Sequence, residues 1–385
     1  MNATLKLQLH VGDPERAALL DTLAQSTACF NAVCREGWKS GDRNGIRLHH
    51  ATYFELRSEH PKLPAQLHCA ARVKAAEALK ATDAILKRSR HAKCPRSRLC
   101  SVRYDARSHW VRLGDGTASL ATTAGRITVH FHLCGYYRRY LDWETRSAEL
   151  RYDRKSGRFS LHVVVRRPAP EAVCDGLLGV DLGIVEIATD SQGRSYSGEP
   201  VKAVRTRVRR IRRSLQAKGT RSAKRHLRRI RQRQSRYVRD VNHCVSKSLV
   251  QTATQSRKAL ALENLKNIRS RADTVSRQMR WLLGNWAFDQ LRNFVAYKAE
   301  AAGVPVVYVD PRNSSRTCSQ CGHLDKANRK SQSSFVCQKC GYQANADFNA
   351  AVNLESRGYR SEALSCRLRS CQEAEAIEPG ASGLL

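Results

Sequence analysis

Residues 177–183 read Leu-Leu-Gly-Val-Asp-Leu-Gly, an apolar run in which the one charged residue is Asp181. An apolar run of this length, bounded by glycine, predicts a strand buried in a sheet. The residues Val185-Glu186-Ile187-Ala188, followed by Ser191-Gln192-Gly193, predict a second strand and a hairpin turn. The sequence therefore places a carboxylate at the end of a buried strand that opens a β-hairpin.

Two more acidic residues stand in similar positions. Glu263 ends a second apolar run, 259–262, and Asp347 lies at the start of a predicted helix in Asn-Ala-Asp-Phe-Asn-Ala-Ala, 345–351. A hairpin with a carboxylate on its first strand is how RNase H-like folds begin. Alone, an aspartate at the end of a strand is more often a cap or turn residue than a catalytic one. Together, buried carboxylates require divalent cations, such as a pair of Mg²⁺ ions acting on a phosphodiester.

The strongest local motif is a pair of CxxC sequences, Cys318/Cys321 and Cys337/Cys340, separated by 15 residues. This spacing predicts a tetrahedral Zn²⁺ site, and four thiolates leave no open position, so the zinc is predicted to be structural. Two redox-active CxxC pairs are the alternative. The chain shows neither a secretory signal nor an apolar run of 18 residues, so we expect a cytoplasmic protein without membrane contact or disulfides.

The charge of the chain predicts a polyanionic partner. Lysine and arginine number 68 against 34 acidic residues, which gives a net charge of +34. Nucleic acid is the usual partner for such an excess, and a merely supercharged soluble protein is the alternative. Residues 201–250 predict two helices broken at Gly219, with no acidic residue from Arg205 to Arg239. Exposed helices normally mix both signs of charge, so this hairpin is predicted to contact phosphates. Its candidate residues are Arg209, Arg210, Arg212, Arg213, Arg228, Arg229 and Arg231.

The first 170 residues predict a β-domain with a helical insertion. Alternation of Leu5, Leu7, Leu9 and Val11 predicts a strand, after which Asp13 is predicted to be the N-cap of a helix with Pro14 as its first residue. A second helical stretch covers 63–90, strands follow over 99–165, and 168–176 has the composition of a linker.

The remaining segments complete the second half of the chain. A long amphipathic helix containing Leu283, Trp286, Leu291 and Phe294 is predicted to end at Gly303, and 304–309 to form a buried strand. The residues from 366 onward are predicted to be disordered.

These motifs resemble those of a known family. Three stretches are similar to the three RuvC motifs of TnpB proteins: 179–183, Leu262-Glu263-Asn264-Leu265 and 346–351. The paired CxxC motifs and the run 315–323 are similar to the zinc ribbon of the same proteins. TnpB proteins are transposon-encoded RNA-guided nucleases akin to the smallest type V CRISPR effectors. The resemblance is specific over about residues 177–360. The first half of the chain resembles the family only in its predicted layout of a β-domain with a helical insertion.

The resemblance implies a fold of the α/β plus β class and a set of roles. Asp181, Glu263 and Asp347 would be the Mg²⁺-binding catalytic residues, and the partners would be a guide RNA and double-stranded target DNA with a short adjacent motif. Many relatives carry an acidic residue where Asn345 stands, but the position assigned to metal is that of Asp347. The implied domains are a wedge-type β-barrel (1–12 and 97–172), an inserted helical recognition domain (13–96), a RuvC-like nuclease domain (173–316 and 341–365), its inserted zinc ribbon (317–340) and the tail (366–385).

Two other functions stay open from the sequence. Some relatives lack members of the catalytic triad and act as RNA-guided DNA-binding repressors, but all three carboxylates are present here. A cut-and-paste transposase with an RNase H-like core is the second possibility, although it leaves the large front half unexplained.

Overall fold

The structure is a computed structural model that describes residues 1–88, 91–265, 280–281, 286–331 and 333–360, except for the side chains of Arg88 and Arg231. The chain divides into two compact units, one up to Pro168 and one from Ala169 onward. Within the described ranges no helix is long and apolar enough to cross a membrane. No cysteine in the same ranges forms a disulfide.

The first unit is built on a seven-stranded sheet with the order β2-β6-β7-β1-β5-β4-β3. The paired strands are antiparallel, and β3 at one edge comes close to β6, so the sheet is nearly closed. Leu5, Leu7 and Leu9 point into its core, as the alternation in the sequence predicted. The strands are β1 (Asn2–His10), β2 (Val102–Tyr104), β3 (His109–Arg112), β4 (Thr117–Thr122), β5 (Gly125–Phe131), β6 (Glu144–Asp153) and β7 (Arg158–Arg166).

Three helices are inserted between β1 and β2: α1 (Asp13–Lys39), α2 (Gly45–Glu59) and α3 (Ala65–Arg88). The prediction of Asp13 as N-cap was wrong by one residue, because Gly12 is the N-cap and Asp13 is already helical. The sequence pattern did not predict α2. Its N-cap signal is Asn44, whose side chain accepts hydrogen bonds from the backbone N–H groups of Ile46 and Arg47.

The second unit contains a five-stranded sheet with the order β10-β9-β8-β11-β12. The three strands β8, β11 and β12 are parallel, whereas β9 and β10 are antiparallel additions that continue the hairpin from β8. The predicted strand-and-hairpin start is therefore present. The strands are β8 (Gly176–Asp181), β9 (Glu186–Asp190), β10 (Ser195–Ser197), β11 (Lys258–Glu263) and β12 (Val306–Val309).

Helices cover both faces of this second sheet. The helices α4 (Glu199–Lys218) and α5 (Arg221–Gln255) form the predicted hairpin around Gly219, and α6 (Phe288–Ala302) ends at Gly303 as predicted. Leu283 lies outside the described residues, and Trp286 precedes α6. Both α5 and α6 pack on the face formed by Leu178, Val180, Leu260 and Leu262.

The opposite face is covered by α7 (Ala346–Tyr359), which packs directly on the backbone of β8. At Gly179 an added Cβ would lie 2.0 Å from the carbonyl oxygen of Ala351, so only glycine permits this approach. Before α7 the chain forms the two-stranded sheet of β13 (Ser334–Val336) and β14 (Gln343–Asn345). The predicted tail, 366–385, lies outside the described residues.

Candidate metal centres

The pleat of two neighbouring strands brings Asp181 and Glu263 to the same side of the sheet. Side chains alternate along a strand, and Leu177 and Ala261 belong to the core on the α7 face. Asp181 is four residues after Leu177, and Glu263 two after Ala261, so both carboxylates lie on that face. They stand at the carboxyl ends of adjacent parallel strands, where the backbone ladder ends and side chains can reach a substrate.

The third carboxylate comes from the first turn of α7. Asn345 caps this helix, because its side-chain oxygen accepts hydrogen bonds from the N–H groups of Asp347 at 2.9 Å and Phe348 at 3.2 Å. This contact gives a physical reason why asparagine is tolerated at 345, since amide and carboxylate oxygens serve equally as N-caps. Asp347 is 7% exposed, so its carboxylate is held within the packed structure.

The electrostatics show that these three carboxylates face one another. Burial raises the pKa of Asp181 to about 6, a hydrogen bond with Glu263 opposes the rise, and the charge of Asp347 adds to it. Burial and the neighbouring Asp181 raise the pKa of Glu263 well above its usual range. Carboxyl groups so close share protons unless a cation neutralises them, which is the behaviour expected of a divalent-metal site.

Arg329 and Glu186 also act on Asp347, and neither was predicted as a site residue from the sequence. The Nη2 atom of Arg329 lies 3.4 Å from Oδ1 of Asp347. Burial raises the pKa of Asp347, and the Arg329 guanidinium counteracts that rise. The pKa of Glu186 is also raised, by burial and by the charge of Asp347. Neither residue belongs to a spacing pattern, so only the folded chain reveals them.

The four cysteines form a second, more compact centre. Among the described residues, Cys318, Cys321, Cys337 and Cys340 are the one group of possible metal ligands with all ligand atoms within 4.8 Å of one another. The Sγ atoms are 3.7 Å apart in the pair Cys318/Cys340 and 3.6 Å apart in the pair Cys321/Cys337. A tetrahedron with Zn–S bonds of ~2.3 Å has edges of about 3.8 Å, so the spacing fits zinc.

The knuckles are shaped by their glycines and backbone amides. Gly322 and Gly341 both have φ of 73°, a left-handed conformation that lets the chain turn back beside each CxxC pair. Slight burial raises the pKa of Cys337, but backbone N–H groups of Cys340 and Lys339 outweigh it and lower the pKa to about 6. The backbone N–H of Tyr342 lowers the pKa of Cys340, but hydrogen bonds with the other three thiols raise it to about 12, so the four thiols share protons until a metal displaces them.

Amide side chains join the cysteine centre to α7. Asn349 accepts a hydrogen bond from the N–H of Ser319 at 3.0 Å and donates to the carbonyl oxygen of Thr317 at 2.8 Å. Asn353 donates to the carbonyl oxygens of Ser314 and Thr317. Because Asp347 belongs to the same helix, the position of its carboxylate depends on the ribbon.

The arginine-rich hairpin presents its cations to solvent. Val208 and Ile230 are buried along the apolar stripe, as predicted, whereas Arg205 is also buried, which the sequence did not indicate. The side chain of Arg231 lies outside the described residues. The other six candidates are exposed, and none forms an ion pair with a described residue: Arg209, Arg210, Arg212, Arg213, Arg228 and Arg229.

Comparisons with known proteins identify related sequences and folds. Residues 160–269 match the "Probable transposase" family model, and residues 288–354 match the "Cas12f1-like, TNB domain" model. The chain is 34% identical over 202 residues to the putative RNA-guided DNA endonuclease InsQ of Escherichia coli, which covers 48% of this chain and 49% of InsQ. It is 42% identical over 114 residues to the CRISPR-associated endodeoxyribonuclease Cas12f1 of Sulfoacidibacillus thermotolerans, covering 29% of this chain and 25% of that protein. The chain thus spans half or less of these relatives' lengths.

The fold is shared more widely than the sequence. A Cas12f1 structure solved as a complex with single-guide RNA and target DNA superimposes with a TM-score of 0.61 at 14% identity, covering 89% of this chain and 83% of that one. The fold is therefore that of the small Cas12 effectors. The predicted resemblance to TnpB proteins is confirmed as well, since two family models match the second half of the chain and several TnpB-like and Cas12f1 relatives are similar to it in sequence.

Proposed function

We propose that the protein is a transposon-associated, RNA-guided DNA endonuclease that hydrolyses phosphodiester bonds with divalent cations. The observation that carries this proposal is the meeting of Asp181, Glu263 and Asp347 at one edge of the sheet, with Arg329 beside them. The relatives named as RNA-guided or CRISPR-associated endonucleases support the same function.

In this proposal the second unit is an RNase H-like, RuvC-type nuclease domain. Asp181, Glu263 and Asp347 hold Mg²⁺, whose chemistry when bound is to activate a water and to stabilise the leaving oxygen. The three ligands keep their relative positions because each stands on a fixed element. Asp181 and Glu263 lie at strand ends, and Asp347 lies at the capped start of a helix. Arg329 supplies a cation where negative charge gathers on the reacting phosphate.

The other parts of the chain serve binding and support. Zn²⁺ on the four cysteines stabilises the ribbon that positions α7. We place the guide RNA on the arginine-rich hairpin and assign the short adjacent motif of the double-stranded DNA to the first unit, with its β-barrel and helical recognition domain. The proposed compartment of action is the cytoplasm.

The test is cleavage of a target by purified protein with its copurified RNA. Alanine at Asp181, Glu263 or Asp347 is expected to abolish Mg²⁺-dependent cutting and to leave guided DNA binding intact, because the basic surface supplies the affinity. Asp310 is a matched control, since it is an exposed aspartate just after β12, and Asp310→Ala is expected to cut normally. Equal cutting by Glu263→Ala and the unaltered protein contradicts the assignment, and binding without any cutting by the unaltered protein indicates a repressor.

A further inference from the structure

A polar groove runs along α5 on the sheet face opposite the carboxylates. It has a volume of about 600 Å³ and is lined by Arg228, Gln232, Ser235, Arg236, Arg239 and Gln290. Five of these residues belong to one stripe of α5, and Gln290 comes from the first turn of α6. At ~1.5 Å per residue, the stripe from Arg228 to Arg239 is roughly 17 Å long, which accommodates several phosphates of an extended strand.

The cations of this groove lack counter-ions within the described part of the chain. Arg228, Arg236 and Arg239 form no ion pair there, and the one acidic residue nearby on α5 is Asp240. Three guanidinium groups in a concave, polar surface attract a chain of phosphates more strongly than isolated surface arginines do, because the groove concentrates their field.

An aromatic step continues the same stripe by one helical turn. The step consists of His243, Phe294 and Tyr297. The rings of His243 and Phe294 are stacked, with centroids 3.9 Å apart and an interplanar angle of 15°. The ring of Tyr297 contacts that of Phe294 edge to face, with ring centroids 6.0 Å apart, and Tyr297 is 47% exposed. The hydroxyl of Tyr297 lies 3.5 Å from Nδ1 of His243, and the exposed part of the Tyr297 ring stands at the end of the groove, where a base can stack.

The step is held rigid by Lys298. Its ammonium group donates hydrogen bonds to the carbonyl oxygen of His243 and to Oγ of Ser246, both at 2.6 Å. Burial, Lys298 and Arg239 lower the pKa of His243, so its ring is neutral at neutral pH and stacks as a flat aromatic surface. A prearranged step of this kind loses little entropy when a base stacks on it.

We infer that the groove and the aromatic step together bind a single-stranded segment of the guide RNA, with phosphates along Arg228, Arg236 and Arg239 and one unpaired base against Tyr297. This inference rests on the proposed function and adds a defined site to it. RNA is favoured over DNA because Asp181 and Glu263 lie on the α7 face, so the strand to be cut must pass on the other side of the sheet.

The experiment uses two single-stranded oligonucleotides of identical sequence, one RNA and one DNA, with the RNA-free protein carrying Asp181→Ala. We expect Tyr297→Ala to weaken RNA binding by about five- to 150-fold, the range for losing one stacked base. Tyr308→Ala is the matched control, because Tyr308 is 42% exposed on β12 and away from the groove. In RNA containing 5-iodouridine, photo-crosslinks are expected at Tyr297 or Phe294.

Two results would overturn the inference. Unchanged RNA affinity of Tyr297→Ala, with crosslinks only elsewhere, removes the aromatic step. In the complex with guide RNA and target DNA, crosslinking of Tyr297 or Phe294 to the DNA rather than to the RNA removes the assignment to the guide. Thermal melting of both variants separates a binding defect from misfolding. The RNA-binding assay requires no cutting. Failure of the proposed nuclease function would therefore appear only in the cleavage test, and failure of the proposed RNA site only in the binding assay.

Discussion

Nη2 of Arg329 lies 3.4 Å from Oδ1 of Asp347, so a residue between the two CxxC pairs contacts the carboxylate that begins α7. The side chain of Arg329 is 24% exposed and that of Asp347 10%, which makes the pair a partly buried one. A cation in this position can act either on the carboxylate alone or on the phosphate of the proposed nucleic-acid substrate. The two roles differ in their kinetic consequences.

The first prediction separates these roles. Arg329→Gln is expected to slow cleavage by about 10²-fold, as removal of one group that stabilises transition-state charge commonly does. Arg329→Lys is expected to restore part of the rate, and target binding is expected to stay unchanged. Single-turnover cleavage at saturating Mg²⁺ is the measurement. Full activity of Arg329→Gln would mean that the arginine acts on the carboxylate alone.

The second prediction concerns the cost of gathering three carboxylates without a cation. The pKa of Glu263 is raised by burial and by Asp181, so ionisation at neutral pH opposes folding of the metal-free protein. Glu263→Gln is therefore expected to raise the melting temperature in EDTA while abolishing cleavage. In the metal-free protein, the contribution of Asp181 to stability, measured against Asp181→Asn, is expected to rise as the pH falls from about 6, the pKa of folded Asp181, towards the unfolded value.

Addition of Mg²⁺ tests the same site by linkage. The ion binds the folded carboxylates, so it is expected to raise the melting temperature of the unaltered protein. A smaller shift is expected for Glu263→Gln. A lower melting temperature of Glu263→Gln in EDTA, or equal Mg²⁺ shifts for both proteins, contradicts the proposed metal site.

The third prediction concerns the ribbon. Purified protein is expected to contain about one zinc per chain, and Cys337→Ser with Cys340→Ser to lose it together with the ribbon fold. Because Asn349 and Asn353 connect the ribbon to α7, cleavage is expected to fall as well. Elemental mass spectrometry is the measurement, with Cys134→Ser, an exposed cysteine of the first unit, as the control. Absence of zinc from the unaltered protein would refute the metal assignment.

The fourth prediction concerns the exposed arginines of the hairpin. Glutamine at Arg209, Arg210, Arg212 and Arg213 is expected to weaken binding to all sequences about equally, because phosphates carry no sequence information. The slope of log K against log salt is expected to flatten by roughly 0.7–0.9 for each phosphate that is no longer neutralised. The preferred adjacent motif is expected to stay the same. An unchanged affinity and slope would show that these side chains are merely solvated.

The sequence by itself determined the local elements of the second unit. The apolar runs that end in Asp181 and Glu263 predicted the buried strands β8 and β11, and the CxxC spacing predicted the cluster of four cysteines without any tertiary information. Charge composition indicated the hairpin in the same way. Such signals are readable because each depends on residues close together in the chain.

Only the tertiary structure decided which residues meet. Arg329, Glu186 and the step of His243 with Phe294 bring together groups that are distant in sequence, and no periodicity marks them. The N-cap of α1 is Gly12 and not Asp13, because both residue types are common N-caps and the backbone conformation decides between them. The burial of Arg205 likewise follows from packing. The sequence pattern does not contain the distances between remote side chains, because these distances are set by the folding of the chain.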